Sequence, residues 1–262
     1  MARHLFLILL TSSVMLIGCT EPLTDSDNED SNAVDNGNDD VDAGREDTGR
    51  EDTGSADTGS DTSQDVVTTP PGPGTPIGTF ENTYYYLAEE GAHSGPAEAT
   101  LYDSSCDPIA VVSSSFADAA CIEGTARLDD GRVINYYQPC SCGGPCSYCW
   151  SVMDPDQFPW GMGSQVNPLE PLRSWAVDTS IIDYGTVLYV EEWDGLALPE
   201  VGELGGHTHD GCFRADDVGG AITGNHVDIF AGSRDMWQAL EAIFPTWSDF
   251  VVYVDSPRCE HL

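Results

Sequence analysis

The sequence predicts a mainly-β barrel with one C-terminal helix, stapled by disulfides and preceded by a disordered tether. Three observations predict it. From about Pro76 the chain breaks into short β-branched and aromatic runs separated by Gly, Asp and Pro; one segment alone keeps helical spacing; and eight cysteines fall in this region. In order, the expected strands are Thr83–Ala88, Ala99–Tyr102, Ile109–Phe116, Gly124–Leu128, Arg132–Tyr137, Ser174–Asp178, Thr186–Glu192, Phe213–Asp217, His226–Phe230 and Phe250–Asp255. The helix lies between the last two. Ser233 can cap it, Asp235 suits its first turn, and Met236, Trp237, Leu240, Ile243 and Phe244 recur at helical spacing before Pro245 ends it. That apolar face is expected in the core.

Ahead of Pro76 the composition changes. Arg3 and His4 precede an apolar stretch, Leu5 to Leu10, that continues through Val14-Met15-Leu16. It is too short for a spanning helix and reads as an export signal. Leu16-Ile17-Gly18-Cys19 resembles the lipobox of bacterial lipoproteins. The resemblance implies a signal peptide over 1–18, acyl chains on Cys19, and membrane attachment through lipid alone. Thr20 follows the cysteine where an Asp would favour inner-membrane retention, which implies a cell-envelope protein of a Gram-negative outer membrane. From 19 to 75 the acidic residues, Glu21 through Asp65, face only Arg45 and Arg50, with few large apolar side chains. Such a segment cannot bury enough surface to offset its ordering entropy. Arg45-Glu-Asp-Thr-Gly49 repeats as Arg50-Glu-Asp-Thr-Gly54, and Pro70-Pro71-Gly-Pro73 stiffens the end of this spacer. Three regions result: signal 1–18, tether 19–75, and an envelope domain 76–262 with its barrel core at about 174–255.

Across the chain 45 acidic residues oppose 9 basic ones, all arginine, for a net charge of -36. Nucleic-acid binding needs clustered positive charge and is excluded, as is docking on an anionic lipid surface through basic residues.

With Cys19 set aside, Cys106, Cys121, Cys140, Cys142, Cys146, Cys149, Cys212 and Cys259 remain. Their even number in an exported domain predicts disulfides. The spacing Cys140-x-Cys142-x3-Cys146-x2-Cys149 also fits a four-thiolate zinc site, but an oxidising compartment favours bridges and no metal. The expected pairs are Cys212 with Cys259, Cys106 with Cys121, and two bridges inside 140–149. His207 and His209, in the segment Glu191–Gly211, read as solvent-facing loop residues beside Asp210. No cofactor is called for.

The chemistry concentrates between Asp178 and Asp228. Three segments stand out: Trp175-Ala-Val-Asp178, Tyr184-Gly-Thr-Val-Leu-Tyr-Val190, and Arg214-Ala-Asp-Asp-Val-Gly-Gly-Ala-Ile-Thr-Gly-Asn-His-Val-Asp-Ile-Phe230. In the last, Asp217 ends one strand, Gly219, Gly220 and Gly224 permit a tight turn, and Asp228 opens the next strand. That arrangement can bring two carboxylates into one cleft with unlike environments, which is how an acid is separated from a charged partner.

These three segments resemble the 3D domain, a family named for three aspartates and found in membrane-bound lytic transglycosylases. Upstream, Ile122-Glu-Gly-Thr-Ala-Arg-Leu-x-Asp-Gly131 is weakly similar to the N-terminal part of those enzymes. The resemblance implies a double-psi β-barrel and cleavage of the bond between N-acetylmuramic acid (MurNAc) and N-acetylglucosamine (GlcNAc) in peptidoglycan. It assigns the three aspartates to Asp178, Asp217 and Asp228, with Asp228 as the acid, and puts Gly219, Gly220 and His226 at the substrate. Thr223 departs from the pattern, standing where the transglycosylases carry Lys. The implied reaction yields a 1,6-anhydro sugar. Two other readings stand beside it: a non-catalytic glycan-binding module stacking sugars on Tyr136, Tyr137, Trp150 or Trp160, and an inverting glycoside hydrolase with Asp217 or Asp178 as base.

Overall fold

The computed structural model describes residues 71–262; the signal over 1–18, Cys19 and the tether as far as residue 70 lie outside the described residues. Strand β1 (Thr75–Tyr86) leads into β2 (Ala88–Glu89), a hairpin β3 (Ala97–Tyr102) and β4 (Pro108–Ser113), helix α1 (Ser114–Glu123), then β5 (Thr125–Arg127), β6 (Val133–Pro139) and β7 (Tyr148–Met153). After an irregular stretch come β8 (Ser174–Ala176), β9 (Val187–Ala197), β10 (Thr208–Asp217), β11 (His226–Gly232), α2 (Arg234–Glu241) and β12 (Asp249–Val254).

Two sheets form. The first is a closed barrel in the order β1-β11-β8-β10-β9-β12; the second is six-stranded, in the order β2-β5-β6-β7-β3-β4. In the barrel β1 runs parallel to β11 and β8 parallel to β10, while β8 and β11 are antiparallel. Sequence-distant strands are thus interleaved, as a double-psi barrel requires. Closure removes the free edges that a half-finished sheet would expose. The sixth barrel strand, β1, comes from outside 174–255, so the barrel is completed by the start of the domain.

The barrel core follows from strand alternation. Leu188 and Val190 on β9, Phe213 and Ala215 on β10, Val227 and Ile229 on β11, and Phe250 and Val252 on β12 all point inward. Trp175 and Trp193 fill the centre, with Trp175 4.5 Å from Phe213 and Trp193 5.2 Å from it, ring to ring. Helix α2 starts on Ser233, whose hydroxyl accepts from Met236 N–H, and buries Met236 and Leu240. Ile243, expected on the core face, is 41% exposed because the helix ends at Glu241.

The second sheet departs further from expectation. The run expected as a strand to Phe116 turns into α1 at Ser114. Ser113 caps it by accepting from Phe116 N–H, Phe116 and Ala120 pack inward, and Gly124 closes it in the left-handed region at φ 74°. Strand β7 was not expected at all. It places Trp150 in the core of this sheet at 1% exposure.

Four disulfides are present: Cys106–Cys142, Cys121–Cys146, Cys140–Cys149 and Cys212–Cys259. The last was expected, and one bridge does lie inside 140–149. Cys106 and Cys121 do not pair with each other. Cys106 sits in the β3–β4 turn, and β3 meets β7 in parallel at Tyr102 opposite Cys149, which carries the turn to the 140–149 loop. Cys121 reaches the same loop from α1. Three bridges therefore rivet that loop to the hairpin, the helix and the base of β7.

Segment 191–211 is a loop only over 198–207, where His207 is exposed as expected; its two ends are strand. Those ends extend β9 to Ala197 and start β10 at Thr208, and there His209 turns into the core at 1% exposure, stacked on Phe213 at 4.7 Å. Its Nε2–H donates to Leu172 O and its Nδ1 accepts from Gly211 N–H, both at 2.9 Å. Burial pushes its pKa down to about 4.

Candidate active site

A cleft of about 500 Å³ opens where the barrel meets the second sheet. Beneath it Tyr85, Leu87, Val133, Leu169, Ala176, Ile222 and Phe230 pack the two sheets together.

Strand pairing places the acids. Asp217 of β10 and Asp228 of β11 each stand opposite Ala176 of β8, one on either side, and Asp228 is in turn opposite Thr83 of β1. Register partners share a face of the sheet, and of this row of four Asp217, Ala176 and Asp228 line the cleft, with Thr83 beside Asp228 at its edge. With strands about 4.8 Å apart, two strand spacings separate the aspartate backbones. A bulge between Ala215 and Asp217 sets this register. It sends the neighbouring Asp216 the other way, to Ser174 and Arg214 in the barrel wall.

Strand β1 holds the carboxyls. Thr83 Oγ1 donates to Asp228 Oδ1 at 2.7 Å, and Tyr85 OH reaches Asp217 Oδ2 at 3.4 Å. The Thr83 hydroxyl proton being committed to Asp228, His226 Nε2–H donates to Thr83 Oγ1 at 2.9 Å. Asp217 is further held by Ser164 Oγ and Val218 N–H, both donating to Oδ1. Burial first, then repulsion from Asp217, pushes Asp228 up to about 6 against the hydrogen bond from Thr83. Burial also raises Asp217, while its donors from Ser164, Val218 and Tyr85 pull the other way.

The other expected residues divide. Gly219 and Gly220 line the cleft. A Cβ at Gly219 would come within 2.6 Å of Ile222 Cγ1, so the turn needs the missing side chain. His226 is not on the lining; it touches Asp228 only through Thr83 and lies 5.0 Å from the Trp247 ring. Asp178 also stands outside. It accepts from Ser180 Oγ and N–H and, through Oδ2, from Gly224 N–H at 2.8 Å, bonds that hold its pKa down and brace the turn between β10 and β11.

The opposite wall comes from the second sheet. Tyr136, Tyr137 and Tyr148 line it, with Tyr137 55% exposed and Tyr136 set edge-on to Tyr148 at 4.6 Å. Trp150 is buried and Trp160 lies under Arg127 away from the cleft, so neither is a sugar platform. Glu123, Ser164 and Tyr85 also line it and were not singled out in the sequence. No Arg, Lys or His is among the lining residues, so the cleft suits an uncharged polyhydroxyl ligand better than a phosphate.

Residues 173–241 match the family model described as the 3D domain, so the chain carries a 3D domain. No curated protein matches the chain. Among solved structures it is similar to E. coli MltA with bound chitohexaose, at 18% identity over 68% of this chain and 71% of that one, with a TM-score of 0.46. A membrane-bound lytic murein transglycosylase of Agrobacterium tumefaciens is similar at 16% identity over 68% and 74%, with a TM-score of 0.46. The lytic transglycosylase LtgG of Burkholderia pseudomallei is similar at 19% identity over 68% and 72%, with a TM-score of 0.37. Likeness at this level leaves the chemistry to be read from the chain's own side chains.

Proposed function

We propose that this 3D-domain chain is a lipid-anchored cell-envelope protein that binds peptidoglycan glycan strands in the cleft and cleaves their MurNAc–GlcNAc bonds as a lytic transglycosylase. One observation carries the reading: Asp228 is a half-buried carboxyl, raised to about 6, in a cleft free of cations and walled by tyrosines. Such a group is poised to give and take one proton near neutral pH.

Thr83 donates to Oδ1, which leaves Oδ2 of Asp228 to carry the acidic proton. That proton passes to the glycosidic oxygen as the bond to the anomeric carbon breaks and positive charge spreads onto the ring oxygen. The 6-hydroxyl of the same sugar then attacks the anomeric carbon and returns its proton to Asp228. The product is a 1,6-anhydro sugar, and the carboxyl ends as it began. No second base is needed. An inverting hydrolase would require one to activate water. Asp217 is badly placed for that, since its oxygens already accept from Ser164, Val218 and Tyr85.

The envelope location rests on the signal and on Cys19, with the tether extending the reach of the domain; among the described residues no helix is long and apolar enough to cross a membrane. Incubating purified sacculi with the protein and weighing the soluble fragments tests the activity. Fragments with anhydro ends from wild type and none from Asp228→Asn support it; binding to sacculi without release would identify a non-catalytic module instead.

A further inference from the structure

We propose that Glu123 is a second substrate-contacting carboxyl of the cleft, donating a hydrogen bond to an acceptor oxygen of the bound sugar, with the acetamido carbonyl as the strongest such acceptor. The inference rests on the glycan reading of the cleft and names a residue outside the 3D domain.

Glu123 is the last residue of α1, and it lines the same cleft as Asp228. Its position is fixed from three directions. Gly124 reverses the chain immediately after it at φ 74°, Gly124 O accepts from Tyr136 N–H at 2.7 Å, and Cys121 is bridged to Cys146 two residues earlier. The carboxyl itself is held from β1: Oε2 accepts from Tyr86 N–H at 2.9 Å, and the Tyr86 phenol also bonds the carboxyl. With Oε2 turned to the β1 backbone, Oε1 is the oxygen assigned to the ligand, which would compete there with the Tyr86 phenol. Strand β1 thus holds three carboxyls in succession, Asp228 through Thr83, Asp217 through Tyr85 and Glu123 through Tyr86.

A structural role alone does not explain a glutamate here. The Tyr86 N–H needs only an acceptor, which a glutamine amide oxygen would supply without a group that can ionise. The groups around Glu123 are Asp228 on β11, Tyr86 on β1, whose phenol is raised by burial and then by Glu123, Arg234 on α2 beyond Tyr86, Asp217 on β10, and the wall tyrosines 136, 137 and 148. Burial is the largest influence and repulsion from Asp228 adds to it, so the carboxyl is pushed up to about 8 against its hydrogen bonds to Tyr86. At pH 7 it is neutral, and a neutral acid is a hydrogen-bond donor, not a base. Ionisation would convert it into an acceptor facing the same sugar oxygen.

Binding of a soluble β-1,4-linked N-acetylglucosamine oligomer to the full chain tests this, in an Asp228→Asn background that prevents turnover. Burial keeps Glu123 protonated at pH 6 in that background as well. With Glu123 present, affinity is expected to fall about tenfold between pH 6 and pH 9, the worth of one lost hydrogen bond. Asp228→Asn with Glu123→Gln keeps a donor and the Tyr86 contact, so its affinity should stay near the pH 6 level throughout. With Glu123→Ala it should be about tenfold weaker at both pH values. Equal binding by the alanine variant and its parent overturns the inference, as does an unchanged pH fall in the glutamine variant, while the glycan reading survives. No binding by the parent at pH 6 overturns the glycan reading, and the inference with it.

Discussion

Asp217 and Asp228 reach the cleft from strands that flank the same residue, Ala176, so that two carboxyls eleven positions apart in sequence share one face of the barrel. Only Asp228 is placed to exchange a proton with a ligand. Asp217 spends its oxygens on Ser164, Val218 and Tyr85.

Asp228→Asn should remove activity by at least about 10²-fold, since general acid–base catalysis contributes that much or more. It should also stabilise the protein at alkaline pH. The native carboxyl is raised from 3.8 to about 6, so folding favours its protonated form. The stability this contributes is whole below pH 4 and is lost as pH climbs through 6. The amide never ionises, so at pH 8 the variant should exceed wild type by on the order of 1 to 3 kcal/mol more than at pH 4. Thermal unfolding at the two pH values checks it; an unchanged difference would contradict the buried-acid assignment.

Asp217→Asn should behave differently. The amide keeps an oxygen for Ser164 and Val218 but removes the charge that helps raise Asp228. Activity should persist, with the alkaline limb of the pH–rate profile displaced to lower pH because Asp228 then loses its proton more readily. The shift should be under about one unit, because burial, the larger cause, is untouched. Activity as low as that of Asp228→Asn would instead point to a two-carboxylate mechanism.

Much of the barrel was legible. Strands β8 to β12 announce themselves by alternation, and α2 by its cap and spacing. Helix α1 was hidden because Ile109-Ala-Val-Val-Ser-Ser-Ser-Phe116 carries β-branched and aromatic residues up to its first turn. The local signals that could have found it are the Ser113 cap, the alanines after Phe116 and the closing Gly124. Other features have no local signal. Glu123 comes to share a cleft with Asp228, and Cys106 meets Cys142, only through the register of strands far apart in sequence. His209 reads as a solvent-facing loop residue because the core that encloses it, Trp193 and Phe213, is assembled from two strands at once.

His209 supplies a prediction about acid stability. Its folded pKa is depressed from 6.5 to about 4, so the stability tied to its neutral form is whole above pH 6.5 and is lost as pH falls through 4. His209→Gln offers a donor and an acceptor but does not titrate. It should start less stable at pH 7, having lost the ring packing, and lose less on going to pH 4 than wild type does. Equal losses in the two proteins would place the acid sensitivity elsewhere.

The disulfide map can be read directly. Proteolysis without reduction should yield linked peptides joining 106 to 142, 121 to 146, 140 to 149 and 212 to 259. Replacing Cys121 and Cys146 together by alanine should cost about 2–4 kcal/mol of stability. It should also weaken glycan binding, since the bridge fixes the end of α1 that carries Glu123. A linked peptide joining 106 to 121 would contradict the arrangement.

The central claim is that the sugar's own 6-hydroxyl, and not water, completes the reaction begun by Asp228. Digesting sacculi in water enriched in oxygen-18 and weighing the released fragments tests it. The account predicts anhydro ends with no heavy oxygen incorporated at the cleaved bond. One heavy oxygen per cleavage, on a reducing end, would contradict it.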